Sequence, residues 1–150
     1  MIRVQQEDFD IGGELARLSD NNQAVGGVAS FVGLVRDMTP EGKISAMTLE
    51  HYPGMTEKQL AALEDEARRR WPLADCLIIH RYGRLLPGDR IVLVATASAH
   101  RQAALESCAF LIDWLKTKAP FWKLEDGPDG GQWVEAKASD EDAAERWKTS

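Results

Sequence analysis

No apolar run in this chain approaches the roughly 18 residues that a membrane-spanning helix needs. Its first eight residues, Met1-Ile2-Arg3-Val4-Gln5-Gln6-Glu7-Asp8, lack the basic start and apolar centre of a secretory leader. Both absences point to a cytoplasmic protein. Cysteine is scarce: Cys76 and Cys108 are the two present. They stand far apart, in no CxxC pair and near no histidine at metal-ligand spacing, so two buried small hydrophobes are expected. Positive charge is in deficit, with 18 Lys+Arg against 24 Asp+Glu and a formal net charge of −6. That balance argues against nucleic-acid partners and against anionic membrane surfaces, since both rely on a positive field. A small anion can bind only where basic side chains are gathered locally. Internal repeats and low-complexity tracts are also missing.

What is present is an ordinary globular composition, 44% hydrophobic and 28% charged over 150 residues. One domain covering residues 1–150 fits this length. A domain of this size buries roughly 68–70% of its unfolded surface, so it needs no covalent staples. Periodicity predicts a short helix over 11–18, with Ile11, Leu15 and Leu18 on one face. A strand is expected over 25–35, with a bulge or close backbone approach at Gly26, Gly27 or Gly33. A second strand over 44–51 follows the turn residues Thr39-Pro40-Glu41-Gly42, and the short connection suggests a hairpin between the two strands. After Pro53-Gly54 comes a helix with a Thr56–Gln59 capping box and an apolar stripe of Leu60, Leu63, Ala67 and Trp71. Glu64–Arg68, Asp65–Arg69 and Glu66–Arg70 are spaced to pair along it, and Pro72 ends it. The apolar runs 76–79 and 91–95 read as central strands covered on both faces, with a turn at Pro87-Gly88-Asp89 between them. A helix over 101–116 has Ser98 as its expected N-cap and stops at Pro120. Strands over 121–125 and 132–135 flank Gly127-Pro128-Asp129-Gly130-Gly131, and Ser139 caps a short acidic helix ending near Trp147. Irregular alternation with hairpins predicts an α+β fold with a mixed or antiparallel sheet.

The helix over 101–116 carries the chemical pattern. Arg101, Leu105, Cys108, Ile112 and Lys116 fall within about 60° of one another at 100° per residue. The stripe expected to face the core therefore begins and ends with a cation, while Lys118 points the other way. A lysine in such a stripe either snorkels to solvent or sits in a partly desolvated pocket, where it becomes a usable base or nucleophile. Lys123, if its segment is extended, shares a face with Phe121 and can approach Lys116. His100 and Arg101 sit at the helix start, where free N–H groups and the positive dipole end favour phosphate. Arg36 is either a solvated hairpin residue or a second anion anchor. His51 and His80, on strands without acidic or thiol neighbours at ligand spacing, read as structural. From residue 101 to residue 116 a helix advances about 22 Å, too far for both ends to touch one small ligand. A site completed across two copies follows as a hypothesis, with His100 and Arg101 of one chain meeting Lys116 and Lys123 of the other.

Several strings stand in order along the chain: Phe31-Val32-Gly33-Leu34-Val35-Arg36-Asp37, Leu49-Glu50-His51-Tyr52-Pro53-Gly54-Met55-Thr56, Ile79-His80-Arg81-Tyr82-Gly83 and Ser98-Ala99-His100-Arg101. They are followed by Leu115-Lys116-Thr117-Lys118-Ala119-Pro120-Phe121-Trp122-Lys123 and Trp133-Val134-Glu135-Ala136. Together they resemble the catalytic subunits of molybdopterin synthase, over about residues 24–147. The resemblance implies an α/β hammerhead fold with a β-hairpin subdomain. It also implies a homodimer that becomes a heterotetramer with a small ubiquitin-like sulfur carrier, whose C-terminal Gly-Gly thiocarboxylate enters the site. The implied substrate is cyclic pyranopterin monophosphate, which receives two sulfurs as its cyclic phosphate opens. Lys116 and Lys123 match the family's catalytic lysines. Substrate-binding positions fall on Leu34, Val35, Arg36, His100, Arg101, Lys116, Lys123, Leu124, Glu125 and Lys137. Lys118 and Lys137 stand where arginine is expected, and at Lys137 the guanidinium fork of a phosphate contact is lost. No metal or organic cofactor is implied. Two other readings stay open: a non-catalytic adaptor for a ubiquitin-like protein, and a phosphate-ester enzyme built on His100 and Arg101.

Overall fold

A computed structural model describes residues 1–39, 42–118, 121–127, 130–134, 145 and 147–148. In chain order its elements are β1 (Ile2–Gln5), α1 (Ile11–Ser19), β2 (Gly27–Leu34), β3 (Met38–Thr39), β4 (Gly42–Lys43), β5 (Ala46–His51) and α2 (Met55–Arg70), then β6 (Leu73–Arg81), β7 (Gly83–Leu85), β8 (Arg90–Ser98), α3 (Arg101–Lys118), β9 (Phe121–Gly127) and β10 (Gly130–Val134).

The two continuous apolar runs become the centre of the first sheet, ordered β1-β6-β8-β2, with β1 parallel to β6 and the other pairs antiparallel. Successive strand residues point to opposite faces, and both faces are covered. Ile78 and Val94 pack with Leu60, Leu63, Phe110, Leu111 and Leu115 of α2 and α3. Leu77, Ile79 and Leu93 pack with Phe9 and Leu18 on the α1 side. Each such side chain contributes roughly 1.5–3 kcal/mol on full burial. The second sheet, β10-β9-β5-β7, is antiparallel throughout. Its core holds Val35, Ile44, Met47, Leu49 and Leu85, and Ile91 packs against both this cluster and the α2/α3 cluster. The mixed α+β class read from the sequence is the one found.

Five local readings are corrected. The strand ending at His51 does not form a hairpin with β2. β2 lies on β8 from Gly27–Ser98 to Leu34–Arg90, with the register shift expected near Gly33 falling between Gly33 and Leu34, and β5 joins the second sheet. The nine-residue apolar β8 gives β2 a full-length partner, and the intervening chain forms the small β3–β4 pair instead. The α2 capping box is not Thr56–Gln59. Gly54, at φ +85°, starts the helix, its N–H donates to the Glu57 carboxylate at 2.6 Å, and Thr56 is buried inside. Of the three expected ion pairs, Glu64–Arg68 and Glu66–Arg70 form at 2.9 Å, but Arg69 turns to Glu66 rather than Asp65. Ser98 does not cap α3: it ends β8, and its hydroxyl donates to the Pro72 carbonyl at 2.8 Å.

The face of α3 is the fifth correction. Ala104, Ser107, Cys108, Leu111 and Leu115 are buried, whereas Leu105 is 60% exposed and Lys116 is exposed. Small residues let the helix lie close to the sheet, with the Thr96 hydroxyl donating to the Ala104 carbonyl at 2.6 Å. That contact sets the rotation and turns Leu105, one residue or about 100° further round, outward. Pro40 and Glu41, the stop at Pro120, the turn at Pro128-Asp129, the strand end at Glu135, Lys137 and the segment capped by Ser139 lie outside the described residues. Among those described, no helix is long and apolar enough to cross a membrane.

Candidate active site

α3 follows β8 and folds back along it, so its last turn returns to the end of the first sheet where β8 begins. Lys116 stands in that turn. β6 finishes at the same end, with His80 opposite Val92. The chain then enters β9, where Phe121 pairs with His51 and Lys123 with Leu49 on β5. Side chains two apart share a strand face, so Phe121 and Lys123 lie on the side that carries His51 and the buried Leu49.

Ring contacts bind these pieces together. The His80 imidazole stacks on Phe121 with centroids 3.7 Å apart and planes at 17°. His51 lies 4.5 Å from the Tyr82 ring and 6.0 Å from Phe121. His80 is 5% exposed, and burial pushes its basicity down to about 3. A hydrogen bond to the Arg81 carbonyl opposes the shift, while the charges of Lys116, Lys123 and His51 add to it. Lys116, Lys123, His51 and His80 thus converge from four elements. Lys116 is exposed and Lys123 half-buried, so both can meet a ligand from solvent.

Hydrogen bonding fixes both tautomers. The Thr56 hydroxyl donates to the Tyr52 carbonyl at 2.8 Å, so at 3.1 Å it accepts from His51 Nδ1–H. The Arg81 carbonyl, 2.8 Å from His80 Nδ1, can only accept. In each neutral ring the lone pair is left on Nε2.

The other expected site residues divide by position. Leu34 is 54% exposed at the end of β2. Val35 is buried, with its N–H on the Asp89 carbonyl at 2.9 Å and its own carbonyl on Gly88 N–H at 2.8 Å. This clamp holds exposed Arg36 at the lysine end of the first sheet. Leu124 and Glu125 continue β9, half-buried. His100 and Arg101 stand exposed at the opposite end, beside the Gly27–Ser98 pairing. Gly26 donates its N–H to the Ser98 carbonyl at 2.9 Å, and a Cβ there would lie 2.0 Å from the Ala99 carbonyl oxygen. Only glycine permits that approach. Within one chain, the length of α3 keeps His100 and Arg101 away from Lys116. The sequence reading takes His51 and His80 as structural, and their ring contacts and hydrogen bonds are of that kind.

The MoaE protein family model matches residues 4–118, and the chain belongs to this family. It is 54% identical over 147 residues to the molybdopterin synthase catalytic subunit of Pseudomonas aeruginosa, covering 98% of each chain. The molybdopterin biosynthesis MoaE protein of Burkholderia ambifaria superposes with a TM-score of 0.85 at 52% identity, covering 100% of this chain and 99% of that one. The crystal structure of molybdopterin synthase from Staphylococcus aureus matches with a TM-score of 0.81 at 32% identity, over 88% of this chain and 95% of that one.

Proposed function

We propose that this chain catalyses the sulfur-transfer step of molybdopterin synthase, moving sulfur from the thiocarboxylated C-terminus of a small ubiquitin-like carrier to cyclic pyranopterin monophosphate. What supports the reading is that the last turn of α3, which carries Lys116, reaches the end of the sheet where His80 stacks on Phe121 of β9, the strand that carries Lys123. A thiocarboxylate nucleophile and a phosphate both need their negative charge held by cations, and the departing oxygen needs a proton. On an otherwise acidic protein these lysines supply both. Lys116 contacts the thiocarboxylate or forms a transient link to the carrier tail; Lys123 transfers the proton and stabilises charge. Arg36, Leu34, Val35, Leu124, Glu125 and Lys137 are assigned to substrate binding, and the reaction proceeds in the cytoplasm.

His100 and Arg101 reach the same substrate through a homodimer. β2 is an edge strand with exposed Val28, Phe31 and Leu34, beside exposed Leu105 of α3. Such an edge invites pairing with a second strand. Antiparallel pairing of two β2 edges about a twofold sets the Gly27 end of one copy beside the Leu34 end of the other. His100 and Arg101 then face the partner's Arg36 and lysines, and two carriers on this dimer make a heterotetramer.

Incubation with thiocarboxylated carrier and the cyclic precursor is expected to yield molybdopterin. Carrier binding without product would favour the adaptor reading. Hydrolysis of the cyclic phosphate without a sulfur donor would favour a phosphate-ester enzyme.

A further inference from the structure

Trp147 is held between α2 and α3 by both its ring and its backbone, and the sulfur-transfer assignment gives it no role. Its indole packs edge-on against Trp71 at 5.7 Å and Phe110 at 5.8 Å. Its carbonyl accepts from the Arg70 guanidinium at 2.7 Å. That guanidinium lies 4.8 Å from the Phe110 ring centroid and 5.2 Å from that of Trp114. The indole Nε1–H donates to the Asp113 carboxylate at 2.7 Å. An indole has one donor and no acceptor, so this bond fixes the direction of the ring, and a charged acceptor makes it a strong one. Asp113 stands three residues before Lys116 on α3, which makes the two side chains neighbours on the helix surface. The two halves of α3 are held differently. The first is pinned to the sheet, with the Thr96 hydroxyl on the Ala104 carbonyl at 2.6 Å and the Cys108 thiol 3.8 Å from the Val94 carbonyl. The last turn has Leu115 in the core, but the final carbonyls of a helix lack intrahelical partners and its end frays. The bond from Trp147 grips α3 one turn before Lys116.

We propose that Trp147 is a positioning residue whose bond to Asp113 fixes the last turn of α3 and thereby holds Lys116 toward the reacting sulfur. This rests on the reading of Lys116 as a sulfur-transfer residue. Arg70 and Trp71 stand at the end of α2, and Phe110 and Asp113 belong to α3, so one indole joins the two helices. The Arg70 guanidinium, itself paired with Glu66 at 2.9 Å, holds the backbone of Trp147, and the neighbouring rings hold its plane. Rotation of the last turn would pull Asp113 off a ring that is not free to follow it.

The test uses the complex with thiocarboxylated carrier and three single variants. Trp147→Phe keeps a ring between Trp71 and Phe110 and loses the N–H. Asp113→Ala loses the acceptor, and Asp113→Asn retains one. Trp147→Phe and Asp113→Ala are each expected to lower kcat about tenfold with KM for the pterin little changed, because misplacement of a reacting group costs rate. Asp113→Asn is expected to recover most of that loss. The double variant, Trp147→Phe with Asp113→Ala, is expected to lose no more than either single one, since both changes sever one bond. Amide hydrogen exchange gives a readout that needs no activity. Residues 114–118 are expected to exchange about tenfold faster in Trp147→Phe, and residues 104–108 at the wild-type rate. Folded Trp147→Phe with wild-type kcat and wild-type exchange over 114–118 overturns the proposal. Additive losses in the double variant also overturn it, because the two residues would then act apart. Exchange raised equally along the whole of α3 would leave Trp147 a packing residue and equally sink the proposal. Absence of turnover by the wild type would sink the sulfur-transfer reading alone, because exchange judges the grip on the last turn without activity.

Discussion

At its N-terminal end α3 presents His100 and Arg101 as exposed side chains on a backbone pinned by Gly26. At its C-terminal end Lys116 reaches the end of the sheet where the buried His80 imidazole stacks on Phe121, two residues from Lys123. The first arrangement fixes where the backbone lies and leaves the cations in water, where a lone phosphate contact is weak and screened by salt. The second places cations against a low-dielectric wall, where charge interactions are stronger. Under the proposed function, one helix carries an anchor that gains strength once a partner surface excludes water, and a reacting end that is already shaped.

Several changes test that contrast. Lys116→Ala is expected to have the largest effect, lowering product formation on the order of 10³-fold while the fold persists, because it removes a transition-state contact. Near-normal product from this variant would remove the catalytic assignment. Phe110→Ala probes the middle of the same helix, where Phe110 is fully buried between Trp71 at 5.3 Å and Trp114 at 4.6 Å, with the Arg70 guanidinium 4.8 Å from its ring centroid. It is expected to cost about 3–5 kcal/mol in denaturant unfolding. A loss under 1 kcal/mol would show that the α2/α3 core is not packed as described.

A third test separates the ends by pH. Folded His80 takes up its proton only near 3, whereas the unfolded imidazole does so near 6.5. The unfolded state therefore binds more protons between those values. Stability from this group is full above 6.5 and is lost as pH falls toward 3, by up to about 1.4 kcal/mol per pH unit. Asp8, held at about 2 by its hydrogen bond to Arg90, and Glu66, held at about 2 by Arg69 and Arg70, lose stability only as pH drops below their unfolded values of 3.8 and 4.5. Unfolding measured between pH 6.5 and 5 isolates His80 from these carboxylates, and the slope is expected to flatten in His80→Gln. An unchanged slope would place the acid sensitivity elsewhere. The smallest effect concerns the thiols. Burial pushes Cys76 up to about 12 and Cys108 up to about 11, so neither is expected to react with a thiol reagent at pH 8 before the protein unfolds. Rapid labelling of the native protein would contradict that burial.

The elements with one strong period were legible in the sequence. The runs 76–79 and 91–95 had to be covered on both faces, and the stripe Leu60, Leu63, Ala67 and Trp71 had to face a core. The partner of β2 was not legible, because strand pairing follows which apolar surface is available rather than which strand comes next. The rotation of α3 was misread for a related reason. Ala104 and Ser107 carry little hydrophobic weight in a periodicity, yet their small size decides which face approaches the sheet. Lys116 and Lys123 stood out because cations at the ends of an apolar stripe and at a strand start are conspicuous. The ring contacts of His51 and His80 were not legible, since they depend on β5, β6 and β9 meeting across two sheets, and no spacing along the chain encodes that meeting.

The most direct measurement mixes two inactive variants, Lys116→Ala and Arg101→Ala, unfolded and refolded together so that subunits exchange. If the two ends of α3 serve one site through two copies, half of the dimers are mixed and each holds one intact site, so about a quarter of wild-type activity should return. No recovery, with mixed dimers confirmed by native mass spectrometry, would mean that each chain works alone and that the shared site does not exist.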